Sequence, residues 1–185
     1  MAMTSARSPF PVPGVGASLR ALPAALGLVG ATVALEDPGY VEAWTAFSHE
    51  GARVVGIPVD EDGLDPAALP RAASAVYVTP SHQYPTGRAR SLPRRLALIE
   101  HAREAGVWIV EDDYDAEFRY DRAPVTSLRA VAPEQVCYAG SVSKLLAPAL
   151  HAAWVRTQPP RTPNAVEKAS SHGVLTVREQ DILKW

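Results

Sequence analysis

Residues 75–115 read AVYVTPSHQYPTGRARSLPRRLALIEHAREAGVWIVEDDYD, and the pattern within them determines the fold class. The segment opens with the apolar, β-branched run Ala75–Val78, which is typical of a buried strand. A helix is predicted over Leu92–Ala105, with Ser91 as its N-cap. The apolar run Val107–Val110 follows that helix directly. The order strand, helix, strand predicts one βαβ unit of a parallel sheet.

The same alternation continues on both sides of this unit. Strands are predicted at Ala31–Leu35, Arg53–Pro58, Gln135–Tyr138 and Ala152–Arg156, and a further helix is predicted over Tyr40–Glu50. The sequence therefore predicts an α/β fold with a mainly parallel sheet and helices on both faces. In such sheets a ligand binds beyond the carboxyl ends of the strands, so the residues that follow each strand are the candidate site.

Composition limits the function classes. The 185 residues carry 18 Lys and Arg against 20 Asp and Glu, a formal net charge of −2. This balance argues against direct nucleic-acid binding, which requires a basic face. The single cysteine, Cys137, excludes an intramolecular disulfide and a cysteine-rich zinc site, and it fits a reducing compartment. Since no run reaches the roughly 18 apolar residues of a membrane span, we expect a cytoplasmic location.

Residues 111–115 (EDDYD) place four carboxylates in five positions directly after a predicted strand. Like charges this close repel one another unless a cation is present. The residues alone leave three interpretations open, namely a solvated acidic loop, a divalent-metal site and a carboxylate that faces a protonated ring nitrogen.

Two other segments beyond predicted strands also carry polar groups. In residues 140–144 (GSVSK), Lys144 is a surface charge, a phosphate-binding group or a Schiff-base amine. Residues 81–87 (SHQYPTG) either supply hydrogen-bonding side chains to a site or form a plain β-turn.

Four strings, VTPSHQYPTG, SLPRRLALIEHA, VEDDYDAEFRY and YAGSVSKLLAPAL, follow one another along the chain. Together they resemble the pyridoxal-phosphate domain of the MocR/GabR class of bacterial regulators. Those regulators join a winged helix-turn-helix domain to a domain similar to class I aminotransferases. The resemblance implies a partial large domain of aminotransferase fold type I over residues 14–185. It also implies an irregular segment over residues 1–13 and no DNA-binding domain in this chain.

The resemblance implies a role for individual residues around a pyridoxal 5'-phosphate cofactor. Lys144 matches the family's catalytic Schiff-base lysine, which condenses with the cofactor aldehyde. Asp112 matches the acid that keeps the pyridine nitrogen protonated, so that the ring acts as an electron sink. Tyr114 matches the tyrosine that meets the phenolic oxygen, and Tyr40 matches the aromatic residue that stacks on the ring.

The remaining matched positions belong to the phosphate site and the pocket wall. Ser141 and Ser143 match hydroxyls near the phosphate, and His82 and Gln83 fall in the loop that lines the pocket. The resemblance implies no metal.

The chain departs from the family at the phosphate. His151 stands where the family has a phosphate-binding arginine, and residues 14–18 (GVGAS) lack a glutamine of the family's phosphate cup. A neutral histidine does not make the bidentate fork of a guanidinium group. We therefore expect weaker cofactor binding than in the family.

The resemblance implies one main function and one alternative. The main function is a cofactor-binding, effector-sensing domain of a MocR-type regulator, or a truncated remnant of one. The alternative is an active aminotransferase that acts on an amino acid through Lys144. In both cases an amino acid or amine is the implied ligand and a homodimer the implied assembly, with no direct nucleic-acid binding and no membrane partner.

Overall fold

One sheet runs through the computed structural model, which describes residues 10–12, 15–114, 126–141 and 153–156. Its strands are β1 (Phe10–Val12), β2 (Thr32–Asp37), β3 (Arg53–Asp60), β4 (Gly63–Leu64), β5 (Ala73–Val78), β6 (Trp108–Asp113), β7 (Val136–Ser141) and β8 (Ala153–Arg156). The helices are α1 (Val15–Ala25), α2 (Val41–His49), α3 (Leu92–Ala105) and α4 (Leu128–Val131). A short 3₁₀ helix spans Pro66–Ala68.

The eight described strands lie in the order β1-β8-β7-β6-β5-β2-β3-β4. From β7 to β3 the strands run parallel, whereas β1, β8 and β4 pair antiparallel at the two margins. This arrangement confirms the predicted α/β fold with a mainly parallel sheet. Because the central strands share one direction, the carboxyl ends of β2, β5, β6 and β7 meet at one edge, which we call the carboxyl edge.

Helices cover both faces of the sheet, as the sequence predicts. On one face, α1 and α2 pack around Leu22, Phe47 and Tyr77. On the other, α3 and α4 pack around Leu98 and Leu128. Successive residues of each central strand therefore face two different cores. Burial of each large apolar side chain contributes roughly 1.5–3 kcal/mol, so both layers of helices are held firmly.

The helix α3 begins and ends where the sequence predicts. Ser91 Oγ accepts a hydrogen bond from the backbone N–H of Arg94 at 3.4 Å, which satisfies a donor of the first turn. Gly106 closes the helix with φ of 69°, in the left-handed region that glycine adopts readily. Within the described ranges, no helix has the length and apolar character needed to cross a bilayer.

The buried face of α3 differs from the one that its apolar spacing predicts. Leu92, Leu96 and Ile99 are spaced to share a core face, yet Leu92 and Leu96 are 67% and 49% exposed. Arg95 is buried instead, and its Nη2 donates to the carbonyl oxygen of Pro80 at 3.0 Å. The loop after β5 lies under this part of α3, and its buried carbonyl group needs a donor that a leucine does not supply.

The N-terminal segment is more regular than expected. We expected residues 1–13 to be irregular, but Phe10–Val12 form β1, which pairs with β8. A three-residue strand between prolines has no alternating pattern, so only its partner strand makes it recognisable. The strand predicted at Ala152–Arg156 is β8, over Ala153–Arg156.

Candidate cofactor site

The carboxyl edge brings together residues that lie far apart in the sequence. Tyr40 follows β2, His82 and Gln83 follow β5, and Asp112 and Tyr114 lie at the end of β6. Gln83 and Asp112 are buried, whereas the other side chains are half-buried. The rule that ligands bind beyond the carboxyl ends of parallel strands therefore selects a real cluster in this chain.

Tyrosine rings connect these three segments. The ring of Tyr84 lies edge-on to the rings of Tyr40 and Tyr114, with centroids 5.6 and 6.2 Å apart. Burial, followed by the charges of Glu42 and Asp112, raises the pKa of the Tyr40 hydroxyl. Tyr40 thus lies within electrostatic range of Asp112. Sequence reasoning missed Tyr84, because in the string SHQYPTG it resembles an ordinary turn residue.

A tight turn after β2 brings Tyr40 to the edge. A Cβ atom on Gly39 would overlap the carbonyl oxygen of Glu36, so only glycine fits there. The buried amide of Gln83 holds the same turn, since its Nε2 donates to the carbonyl oxygen of Pro38 at 2.8 Å. Gln83, predicted to line the pocket, therefore links the loop after β5 to the turn after β2.

Asp112 is the buried acid of the site, with 3% of its surface exposed. The hydroxyl of Tyr77 donates to Asp112 Oδ2 at 2.5 Å. Asp112 Oδ1 is also buried, and it accepts no hydrogen bond from any described residue. Burial raises the pKa of Asp112 to about 6, the bond from Tyr77 opposes this shift, and the charge of Asp113 adds to it. Among the described residues, Asp112 therefore has no cationic partner, and its Oδ1 has no donor.

The other acidic residues of the cluster have different partners. Glu111 is buried, and its two oxygens accept from the backbone N–H groups of Leu128 and Arg129 at 2.9 and 3.0 Å. Asp113 Oδ2 accepts from the hydroxyl of Tyr138 at 3.3 Å. A solvated acidic loop is therefore the wrong interpretation for residues 111–113, which belong to the buried strand β6. In the described part of the chain, no group of three or more His, Cys, Asp or Glu side chains is placed to hold a metal ion.

A second buried carboxylate lies at the same edge. Glu36 Oε1 accepts from Arg90 Nη2 at 2.6 Å, and both side chains are at most 2% exposed. Glu36 Oε2 accepts from the backbone N–H and the hydroxyl of Thr79, at 3.0 and 2.9 Å. This cluster ties the end of β2 to the loop after β5. Sequence reasoning missed the pair because 54 residues separate its members and no motif connects them.

The structure describes only some of the remaining predicted site residues. Ser141 is the last residue of β7, where its backbone pairs with β8. Ser143, Lys144 and His151 lie outside the described residues. Their predicted roles in the Schiff base and the phosphate site stay predictions.

Comparison with known proteins decides the family. The model of the family described as aminotransferase class I and II matches residues 2–176. This chain belongs to the aminotransferase class I and II family. The match covers the site loops and both cores, so the family and the fold agree.

Two kinds of known protein are similar to this chain, namely transcriptional regulators and an aminotransferase. The pyridoxine biosynthesis transcriptional regulator PdxR of Corynebacterium glutamicum is 36% identical over 145 residues, covering 78% of this chain and 31% of its own length. The probable rhizopine catabolism regulatory protein MocR of Rhizobium meliloti is 34% identical over 128 residues, covering 68% and 26%. The crystal structure of the α-aminoadipate aminotransferase LysN of Thermus thermophilus superposes with a TM-score of 0.73 at 31% identity, covering 89% and 43%.

The chain spans about a third or less of the curated regulators that it matches. It is an aminotransferase-like domain of the type that occurs in MocR-type regulators. The solved LysN structure is a complex with N-(5'-phosphopyridoxyl)-L-leucine. The family and its solved members support pyridoxal phosphate as the cofactor.

Proposed function

We propose that this chain binds pyridoxal phosphate at the carboxyl edge and senses an amino acid or amine there, as part of a MocR-type regulator. The observation that carries this proposal is Asp112, a buried carboxylate with a partner on one oxygen and, among the described residues, none on the other. A buried charge without a counter-charge is costly, and a ligand that brings a positive N–H group removes that cost.

Asp112 would hold the cofactor at its ring nitrogen. With Oδ1 as the acceptor of a protonated N–H group, the positive charge beside the carboxylate would lower the pKa of Asp112 and keep it ionised at neutral pH. When bound, pyridoxal phosphate supplies an electron-withdrawing ring conjugated to an aldehyde that reacts with amines. The burial of Asp112 excludes water from the charge pair and so strengthens it.

The other contacts follow from the tyrosines and the family motif. Tyr40 would cover one face of the ring, and the hydroxyl of Tyr114 would donate to the phenolic oxygen. Lys144 would supply the amine that reacts with the aldehyde, and Ser141, Ser143 and His151 would hold the phosphate. The resemblance to the family motif supports the roles of the four residues within 141–151.

We propose a homodimer as the assembly, on the basis of family membership.

A second function, amino-group transfer, is supported by the likeness to LysN, which is an aminotransferase. Sensing and transfer share the cofactor and the amine ligand, and they differ in whether a proton moves at the Cα atom of the ligand. In transfer, Lys144 would move that proton, the cofactor would retain the amino group and the ligand would be released as a carbonyl compound. In sensing, the ligand binds and is released unchanged.

Titration of the chain with pyridoxal phosphate tests the proposal. We expect a visible absorbance band that requires Lys144, is absent in Lys144→Ala and is weakened in Asp112→Asn. The control Asp65→Asn changes an exposed carboxylate that, among the described residues, accepts from the nearby backbone N–H of Ala67, and this variant should bind like the wild type. A wild-type chain without a Lys144-dependent band would refute the proposal. Addition of amino acids then separates the two functions, because only transfer accumulates the pyridoxamine form.

A further inference from the structure

We propose that Tyr77 is a positioning residue for the cofactor, because its hydroxyl holds the Asp112 carboxylate with one oxygen turned to the ring nitrogen. This inference rests on the proposed function and assigns to Tyr77 a role that neither the motifs nor the relatives supply. Tyr77 lies in the middle of the sheet, before the loop residues in which the family motif is recognised.

The sheet register explains how the two side chains meet. Tyr77 of β5 pairs with Val110 of the parallel neighbour β6, so Asp112 lies two residues further along the same face. That offset matches the length of a tyrosine side chain, and the hydroxyl reaches Asp112 Oδ2 at 2.5 Å. The bond joins two strands inside the layer of α1 and α2, where no solvent competes for it.

Packing fixes the position of the donor. Tyr77 is 2% exposed, and the ring of Phe47 lies against it with a centroid distance of 6.1 Å. A side chain locked by such packing presents its hydroxyl in one place. Asp112 Oδ2 is therefore held, and the remaining oxygen Oδ1 takes a defined direction as a consequence.

The donor also has the right charge. Burial, followed by the charge of Asp112, raises the pKa of Tyr77 well above its ordinary value, so the phenol stays protonated and neutral. A neutral donor satisfies one oxygen and leaves the negative charge of Asp112 for the ring cation. Among the described residues, the other ionisable groups that act on this pair are Asp113, Tyr40 and Glu36, and none of these three is a cation. An arginine in place of Tyr77 would neutralise Asp112 and remove its need for a charged ligand.

The test compares Tyr77→Phe with the matched control Tyr138→Phe. Both variants delete one tyrosine hydroxyl that donates to an aspartate of β6, but Tyr138 serves Asp113, on the opposite face of the strand. We expect Tyr77→Phe to raise the pKa of Asp112 in the cofactor-free chain. NMR of the carboxyl carbon measures this change. With cofactor, affinity should fall about tenfold, which corresponds to the loss of one hydrogen bond to a charged group. Tyr138→Phe should leave both quantities near the wild-type values.

A double-mutant cycle guards against general damage to the fold. If Tyr77 acts through Asp112, adding Tyr77→Phe to Asp112→Asn costs less cofactor affinity than it does in the wild type. Equal losses in both backgrounds, or an equal effect of Tyr138→Phe, would overturn the inference while leaving cofactor binding established. A wild-type chain that binds no cofactor would instead overturn the proposed function, and this inference with it.

Discussion

Glu36 and Asp112 are buried carboxylates at the same edge of the sheet, and they differ in what the chain supplies to each. Glu36 has a guanidinium on one oxygen and two donors from Thr79 on the other. Among the described residues, Asp112 accepts one hydrogen bond, from the neutral hydroxyl of Tyr77, and its second oxygen has no donor. The described residues supply a counter-charge to Glu36 and leave Asp112 with one oxygen that has no donor.

The difference separates a structural role from a binding role. The Glu36 cluster connects the turn before Tyr40 to the loop that carries Tyr84, so it holds the walls of the site in place. Asp112 lies at the same edge, and under the proposed function its Oδ1 is the acceptor for the cation of the ligand. Burial alone does not distinguish the two, since both residues are 3% exposed. The number of donors and counter-charges around each carboxylate distinguishes Glu36 from Asp112.

The largest expected effect comes from removing the counter-charge of Glu36. Arg90→Met leaves Glu36 buried without a cation, and we expect the free energy of unfolding to fall by about 3–5 kcal/mol. Urea denaturation of the full chain measures this change. The double variant Glu36→Gln with Arg90→Met should recover part of the loss, because the stranded charge is then gone.

The control for this variant is Arg88→Met. Arg88 pairs with Glu61 at 3.7 Å, with side chains 56% and 91% exposed, so its loss should be barely measurable. If Arg90→Met and Arg88→Met cost the same, Glu36 is not the buried, cation-dependent group described above.

A smaller effect is expected from the pH dependence of Asp112. Its pKa in the folded chain, about 6, lies above the ordinary value of 3.8 for an aspartate side chain. The folded state therefore holds the proton more tightly, and the associated stability is present below about pH 4 and is lost as the pH rises through about 6. Two pKa units correspond to on the order of 3 kcal/mol as an upper figure. Urea denaturation between pH 4 and 7 should show this decline in the wild type and a flatter profile in Asp112→Asn. Parallel stability profiles for the wild type and Asp112→Asn would contradict the assignment of this pH dependence to Asp112.

Local patterns account for the part of the fold that could be predicted. Ser91 and Gly106 mark the ends of α3 correctly because a cap depends on residues next to the helix. The structure places Tyr40, Asp112 and Tyr114 at the carboxyl edge, because each follows or ends a parallel strand and the βαβ pattern predicts the common strand direction. Their roles toward a cofactor stay predictions.

Contacts across the fold account for the rest. Tyr77 and Asp112 are 35 residues apart, and Glu36 and Arg90 are 54 apart, so no spacing rule connects them. In the sequence, Tyr77 is one apolar residue of a strand. Its hydroxyl acquires a role only when β5 and β6 pair in a register that places Asp112 beyond it.

The smallest expected effect comes from breaking the ion pair of Arg94 and Asp60, which is the exposed counterpart of the Glu36–Arg90 pair. Arg94 Nη2 lies 2.8 Å from Asp60 Oδ2, close to the Glu36–Arg90 distance of 2.6 Å, but the Asp60 side chain is 54% exposed. The hydrogen bond from Arg94 lowers the pKa of Asp60, so the pair contributes above the ordinary carboxyl pKa and weakens as the pH falls. Arg94→Met should cost less than about 1 kcal/mol, and the cost should shrink in 1 M salt, where the Debye length is about 3 Å. The cost of Arg90→Met should persist at that salt concentration, because ions do not reach a buried pair. Equal salt sensitivity of the two variants would show that ions reach the Glu36–Arg90 pair, and this would contradict its description as a buried pair.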